Sequence, residues 1–149
     1  MTNRNETPAT ELLGALYEDH RRLHHLQTSE HMELVPTSVI IPRVYVDELR
    51  RLAAETGISI NGLAVEMLLY SLSSGVTSRP KQGWPVSDRF DSRFFQWTVR
   101  IPHEALAYGH QLAKQHLSNF SRVFTDAITA ASIHSEHRFK DIAYAPFRK

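Results

Sequence analysis

The period of the apolar positions changes several times along the chain, and each change marks an element. Over residues 11–32, Leu12, Leu13, Leu16, Leu23 and Leu26 recur at helical spacing, with Thr7 or Thr10 available as a cap. Pro36 is expected to end whatever continues to Val35. The β-branched run 37–41, closed by Pro42, has a strand signature. Over 45–56 the pattern is helical again, with Val46, Leu49, Leu52 and Ala53 on one face and Gly57 in the C-cap place. Ser59 then caps a helix whose apolar face is Ile60, Leu63, Ala64, Met67 and Leu68, ending near Gly75. Residues 75–93 contain Gly75, Pro80, Gly83 and Pro85 and predict a long connection. Strict alternation follows: Trp97, Val99 and Ile101 point one way, Gln96, Thr98 and Arg100 the other, with Pro102 closing the strand. A helix carrying Ala105, Leu106, Gly109, Leu112 and Ala113 breaks at 117–119. Another places Phe120, Val123, Phe124, Ala127 and Ile128 inward. Trp97, Phe120 and Phe124 are expected beneath the strands, and Trp84, Phe94 and Phe95 are candidates to close over an interface between the halves.

Shifted by 60 residues, the two halves align without a gap. Pro42 falls on Pro102, Val39 on Val99 and Ile41 on Ile101. In the helices Val46 meets Leu106, Leu52 meets Leu112, Ile60 meets Phe120, and Leu68 meets Ile128. A lone strand followed by two short helices leaves its backbone donors and acceptors unpaired and cannot bury its own apolar face. Two such units solve the problem together by pairing their strands over four helices.

This strand–Pro–helix–turn–helix order resembles the ribbon-helix-helix (Arc/MetJ-like) family. The resemblance rests on Gln96 to Pro102 for the strand, and on Pro42 to Gly57 followed by Ser59, Ile60 and Asn61 for the helices. It implies a mainly α fold with a two-stranded antiparallel β-ribbon, a tandem ribbon-helix-helix pseudo-dimer in one chain. The units are an N-terminal extension (1–35), repeat 1 (36–74), a linker (75–93), repeat 2 (94–133) and a basic tail (134–149). At about 3.3 Å per residue the linker reaches ~60 Å, enough to bring strand to strand.

An antiparallel ribbon fits the major groove of B-DNA and presents its outward side chains to base edges. Those are Gln96, Thr98 and Arg100 in the second strand, Ser38 and Ile40 in the first. Gln suits adenine, Arg suits guanine, and Ile40 can touch only a thymine methyl. Two readings stay open: an asymmetric site read mainly by the second strand, or another use of this face. The resemblance implies phosphate contacts at the starts of the second helices, Ser59, Ile60, Asn61 and Asn119, Phe120, Ser121, with Arg43 and His103 as neighbours.

Composition narrows the alternatives. The 149 residues are 42% apolar with a net charge of +1, which fits one compact domain and excludes a wholly disordered chain. No run reaches the ~18 apolar residues of a membrane span, and the first residues lack a secretory pattern, so a cytoplasmic protein is expected. There is no cysteine, hence no disulfide, thiolate site or cysteine nucleophile. Charge is uneven: residues 1–35 sum to −3, while 74–93 and 134–149 each sum to +2. His20 with His24 and His134 with His137 have helical spacings, but no third ligand stands beside either pair, and no metal site is read. No catalytic motif or acid–base pair is present. The expectation is a non-enzymatic, cofactor-free protein that binds double-stranded DNA sequence-specifically. It would act as a transcriptional regulator or a conjugation (relaxosome) accessory factor, as a monomer or a higher assembly on DNA. A relaxase or another DNA-processing protein is the implied partner. The alternative is a protein-interaction adaptor on the same scaffold that has lost base readout. A histidine-metal sensor is a third, weaker option.

Overall fold

The computed structural model describes residues 9–26, 33–75 and 93–140, with the side chains of 23–26 left aside. The leading residues 1–8, nearly all of the 75–93 connection with Trp84, the His24 ring and the tail beyond 140 lie outside the described residues. The elements are α1 (Ala9–Leu26), β1 (Leu34–Pro42), α2 (Arg43–Thr56), α3 (Ile60–Ser74), β2 (Phe94–Pro102), α4 (His103–Gln115) and α5 (Phe120–His134). The described residues are mainly helical, with one two-stranded antiparallel sheet among them.

β1 is longer than the sequence suggested. α1 is described as far as Leu26, the stretch 27–32 over which a helix was expected lies outside the described residues, and Leu34, Val35 and Pro36 belong to the strand. Pro36 is tolerated there for a reason visible in its neighbour. The Ile40 N–H points to the outer edge of the ribbon, where the Ser121 hydroxyl accepts it at 2.9 Å. N–H groups alternate sides along a strand, so Pro36, four residues earlier, lacks its hydrogen only on that outer edge.

The register pairs Leu34 with Pro102, Ser38 with Thr98 and Pro42 with Phe94. Val39, Ile41, Val99 and Ile101 are fully buried beneath the ribbon. Trp97 is only partly buried, edge-on to Phe124 at 6.3 Å between centroids, which corrects its expected place deep in the core. Phe94 is buried and Phe95 partly so.

β1, α2 and α3 begin at 34, 43 and 60; β2, α4 and α5 begin at 94, 103 and 120. The capping repeats too. The Ser59 hydroxyl accepts from the Gly62 N–H at the start of α3, and the Asn119 carboxamide accepts from the Arg122 N–H at the start of α5. Both second helices are central, and α3 is buried from Gly62 to Leu69 rather than on one face, because α1 covers its far side. Departures from the repeat are compensated locally. Phe120 stands where the first half has Ile60, and its ring lies against Gly109. A Cβ at Gly109 would sit 2.8 Å from Phe120 Cδ1 and closer still to Cε1. Tyr45 stands where the second half has Ala105, and its hydroxyl is hydrogen-bonded to that of Thr129 at 3.0 Å.

The chain after α5 is docked as far as Lys140. Phe139 packs on Tyr45 at 5.3 Å, the Lys140 N–H donates to Glu48 Oε1 at 2.8 Å, and Arg51 Nη2 donates to the Arg138 carbonyl at 2.9 Å.

Candidate nucleic-acid interface

The solvent face of the ribbon is built from the even-numbered residues of both strands. Pro36 lies opposite Arg100, Ser38 opposite Thr98, and Ile40 opposite Gln96. Five of the six are exposed and Ile40 is half-buried. The Gln96 amide donates to the Ser38 hydroxyl at 3.1 Å, which steadies the centre of the row. Arg100 and Gln96 therefore occupy opposite ends, each beside an apolar partner from β1. All five residues expected to face bases are on this one face.

The residues expected at the phosphates are placed in two groups, one beside each edge of the ribbon. Asn61 uses its whole carboxamide on β2: its Oδ1 accepts from the Arg100 N–H and its Nδ2 donates to the Arg100 carbonyl, both at 2.8 Å. Ser121 does the corresponding work on β1 at Ile40. Ribbon edges carry unpaired backbone groups that must find partners, and these two side chains supply them. What Asn61 and Ser121 offer an anion is thus chiefly main-chain N–H. The N–H groups of Ile60, Asn61, Phe120 and Ser121 open their helices and have no partner among the described residues. Phe120 presents no side chain to solvent, because its ring is buried against His110 and Phe124. The Arg43 guanidinium lies over the Phe95 ring at 5.2 Å, and His103 is exposed at the start of α4.

The edge clamps were not anticipated from the sequence, since their partners lie 39 and 81 residues away. Arg50 was also missed. It lines, with Asn61, Ile60, Trp97, Thr98 and Arg100, an open cavity of about 490 Å³ beside β2. Its only near carboxylate among the described residues is Asp47 at 3.9 Å, an exposed pair of little energetic weight. Comparison with protein-family models, with curated proteins and with solved structures finds no match. No single described helix is long and apolar enough to cross a membrane.

Proposed function

We propose that the chain is a tandem ribbon-helix-helix pseudo-dimer that binds double-stranded DNA by laying its β-ribbon in the major groove. One observation carries the reading. Ser38 pairs with Thr98, its own counterpart 60 residues on, so a local two-fold axis passes through the middle of the ribbon. The edge clamps obey the same axis: residue 61 holds residue 100 and residue 121 holds residue 40. The axis puts six side chains on a thin two-stranded face about 5 Å between strands, narrow enough for a groove ~12 Å wide. It also sets a helix N-terminus with free N–H groups at either flank, where the phosphate backbones would run. Arg50 and Arg100 add cationic charge on the β2 side. On this reading the protein acts as a transcriptional regulator or as a conjugation accessory factor beside a relaxase.

The apolar partners Pro36 and Ile40 favour a second reading, a protein-binding adaptor on the same frame. Selection of genomic duplex fragments by the purified protein, followed by anisotropy titrations, separates the two. The expected result is duplex binding that weakens with salt. Arg100→Ala should lower specific affinity by ~1–3 kcal/mol, the worth of a bidentate Arg–guanine pair, without lowering thermal stability. No duplex affinity at low salt, or affinity untouched by the substitution, leaves the adaptor standing.

A further inference from the structure

A second polar cluster lies away from the ribbon. Glu66, midway along α3 between Val65 and Met67, is 3% exposed, and a carboxylate in such a place needs strong compensation. The segment after α5 delivers that compensation. His137, 6% exposed, brings its Nε2 against Glu66 Oε2. The preceding residue, Glu136, turns its carboxylate to the same point, so that one ligand atom from each of Glu66, Glu136 and His137 lies within 4.8 Å of the other two. Two carboxylates held this close repel each other unless positive charge stands between or beside them. Arg21 of α1 supplies part of it, holding Glu136 Oε1 at 2.9 Å and lying 3.4 Å from the Tyr17 hydroxyl. Burial, with the charges of Glu66 and Glu136, pushes the Tyr17 hydroxyl above its ordinary range despite Arg21. Two carboxylates thus stand close beside the His137 imidazole.

We propose that Glu66, Glu136 and His137 bind a first-row divalent transition ion of the Zn²⁺ or Co²⁺ type, which fastens the segment 135–140 to α3. The proposal is independent of the DNA reading. One imidazole and two carboxylates, with no thiolate, suit such an ion. The nitrogen ligand argues against Mg²⁺ and Ca²⁺, which take oxygen. Three protein ligands leave a position for water. Ligand atoms around a tetrahedral ion with bonds of ~2.1 Å stand roughly 3.4 Å apart, so the direct His137–Glu66 contact has to open to admit the ion, while Glu136 already stands within 4.8 Å. Glu136 is exposed, and Arg21 orients it as an outer-shell partner does. The sequence hid the site: His134 and His137 stand together in the chain, but His134 is exposed at the end of α5, and the ligand that completes His137 is 71 residues away.

The test uses the full chain freed of metal by chelation and titrated with Co²⁺, with Zn²⁺ as competitor. Uptake of one equivalent with visible ligand-field absorption, reversed by Zn²⁺, is expected, together with a higher melting temperature in Zn²⁺. Glu136→Gln, an exposed change that leaves the fold intact by circular dichroism, should weaken uptake at least ~10-fold, the loss seen when even an outer-shell partner is removed. His137→Gln should abolish the spectrum. If that variant does not fold, Glu136→Gln decides alone. No ligand-field spectrum and no thermal shift, or uptake equal to wild type in Glu136→Gln, overturns the proposal and leaves an ion-pair cluster.

Discussion

Leu117 is the one described residue outside glycine with a positive φ, 51°, and its side chain is 96% exposed. Its counterpart 60 residues earlier is Gly57, at φ 78° in the turn between α2 and α3. The left-handed position recurs in both connections, once with the residue suited to it and once with a leucine whose Cβ crowds the following carbonyl, although the closing hydrogen bonds differ. The leucine buries almost nothing in return. Leu117→Gly should therefore stabilise the protein by about 1 kcal/mol, raising the melting temperature by ~2–4 °C. A calorimetric scan checks it. A loss of stability would mean that the Leu117 side chain is held by something other than the described residues. Asn61 and Ser121 make the converse case. Each was legible as a polar residue opening a helix, and each spends its side chain on a strand edge that no local spacing predicts.

Elements whose signals are local were readable, and those that depend on distant partners were not. The caps Ser59 and Asn119, the glycine stop at Gly57 and the alternation from Gln96 to Ile101 all declare themselves within a few residues, and the structure has them there. β1 was misjudged at its start because Pro36 reads as a terminator. It is harmless here only because its edge faces α5 and not the partner strand. The segment 135–140 was equally opaque, since nothing in a polar, aromatic stretch says which surface will receive it. Its attachment to α2 has a definite pH dependence. Burial raises the Glu48 carboxyl, but the Arg51 hydrogen bond, the Lys140 N–H and the charges of both residues outweigh it and hold the group below its ordinary range. A carboxyl lowered in the folded state stabilises fully above its unfolded pKa, ~4.3, and that contribution fades as pH falls through the lower folded value. The Lys140 amide resonance should therefore titrate with a midpoint below the ordinary glutamate value, and its exchange protection should fall in the same range. A midpoint at or above ~4.3 contradicts the attachment.

At the scale of the molecule, the 60-residue repeat made the ribbon legible, but the same repeat conceals how unlike its two halves have become. The two-fold axis proposed above, through Ser38 and Thr98, would map Arg100 onto Ile40 and Gln96 onto Pro36. One end of the ribbon therefore presents a guanidinium beside a proline, the other a carboxamide beside an isoleucine. On the DNA reading, the repeated order of elements would let phosphates on both sides of a duplex be met in the same way. Base edges cannot. On that reading Arg100 would suit a guanine, while Gln96 with Ile40 would suit an adenine and a neighbouring thymine methyl. If the ribbon reads DNA, its best target is a non-palindromic site bound in one orientation. The flank beside β2, with Arg50 and the 490 Å³ cavity, should lie toward the guanine end. Three duplexes test this: the selected site and the two perfect palindromes made by doubling either half. The selected site should bind most tightly, and each palindrome should lose ~1–3 kcal/mol for the mismatched end. Arg100→Ala should erase the advantage of the selected site over the palindrome of the Gln96 half while leaving their common salt dependence nearly unchanged. Equal affinity for all three duplexes would mean that the ribbon contributes shape and charge alone. A preference for one palindrome would mean that a single half carries the readout and is used twice, by two chains meeting on the DNA.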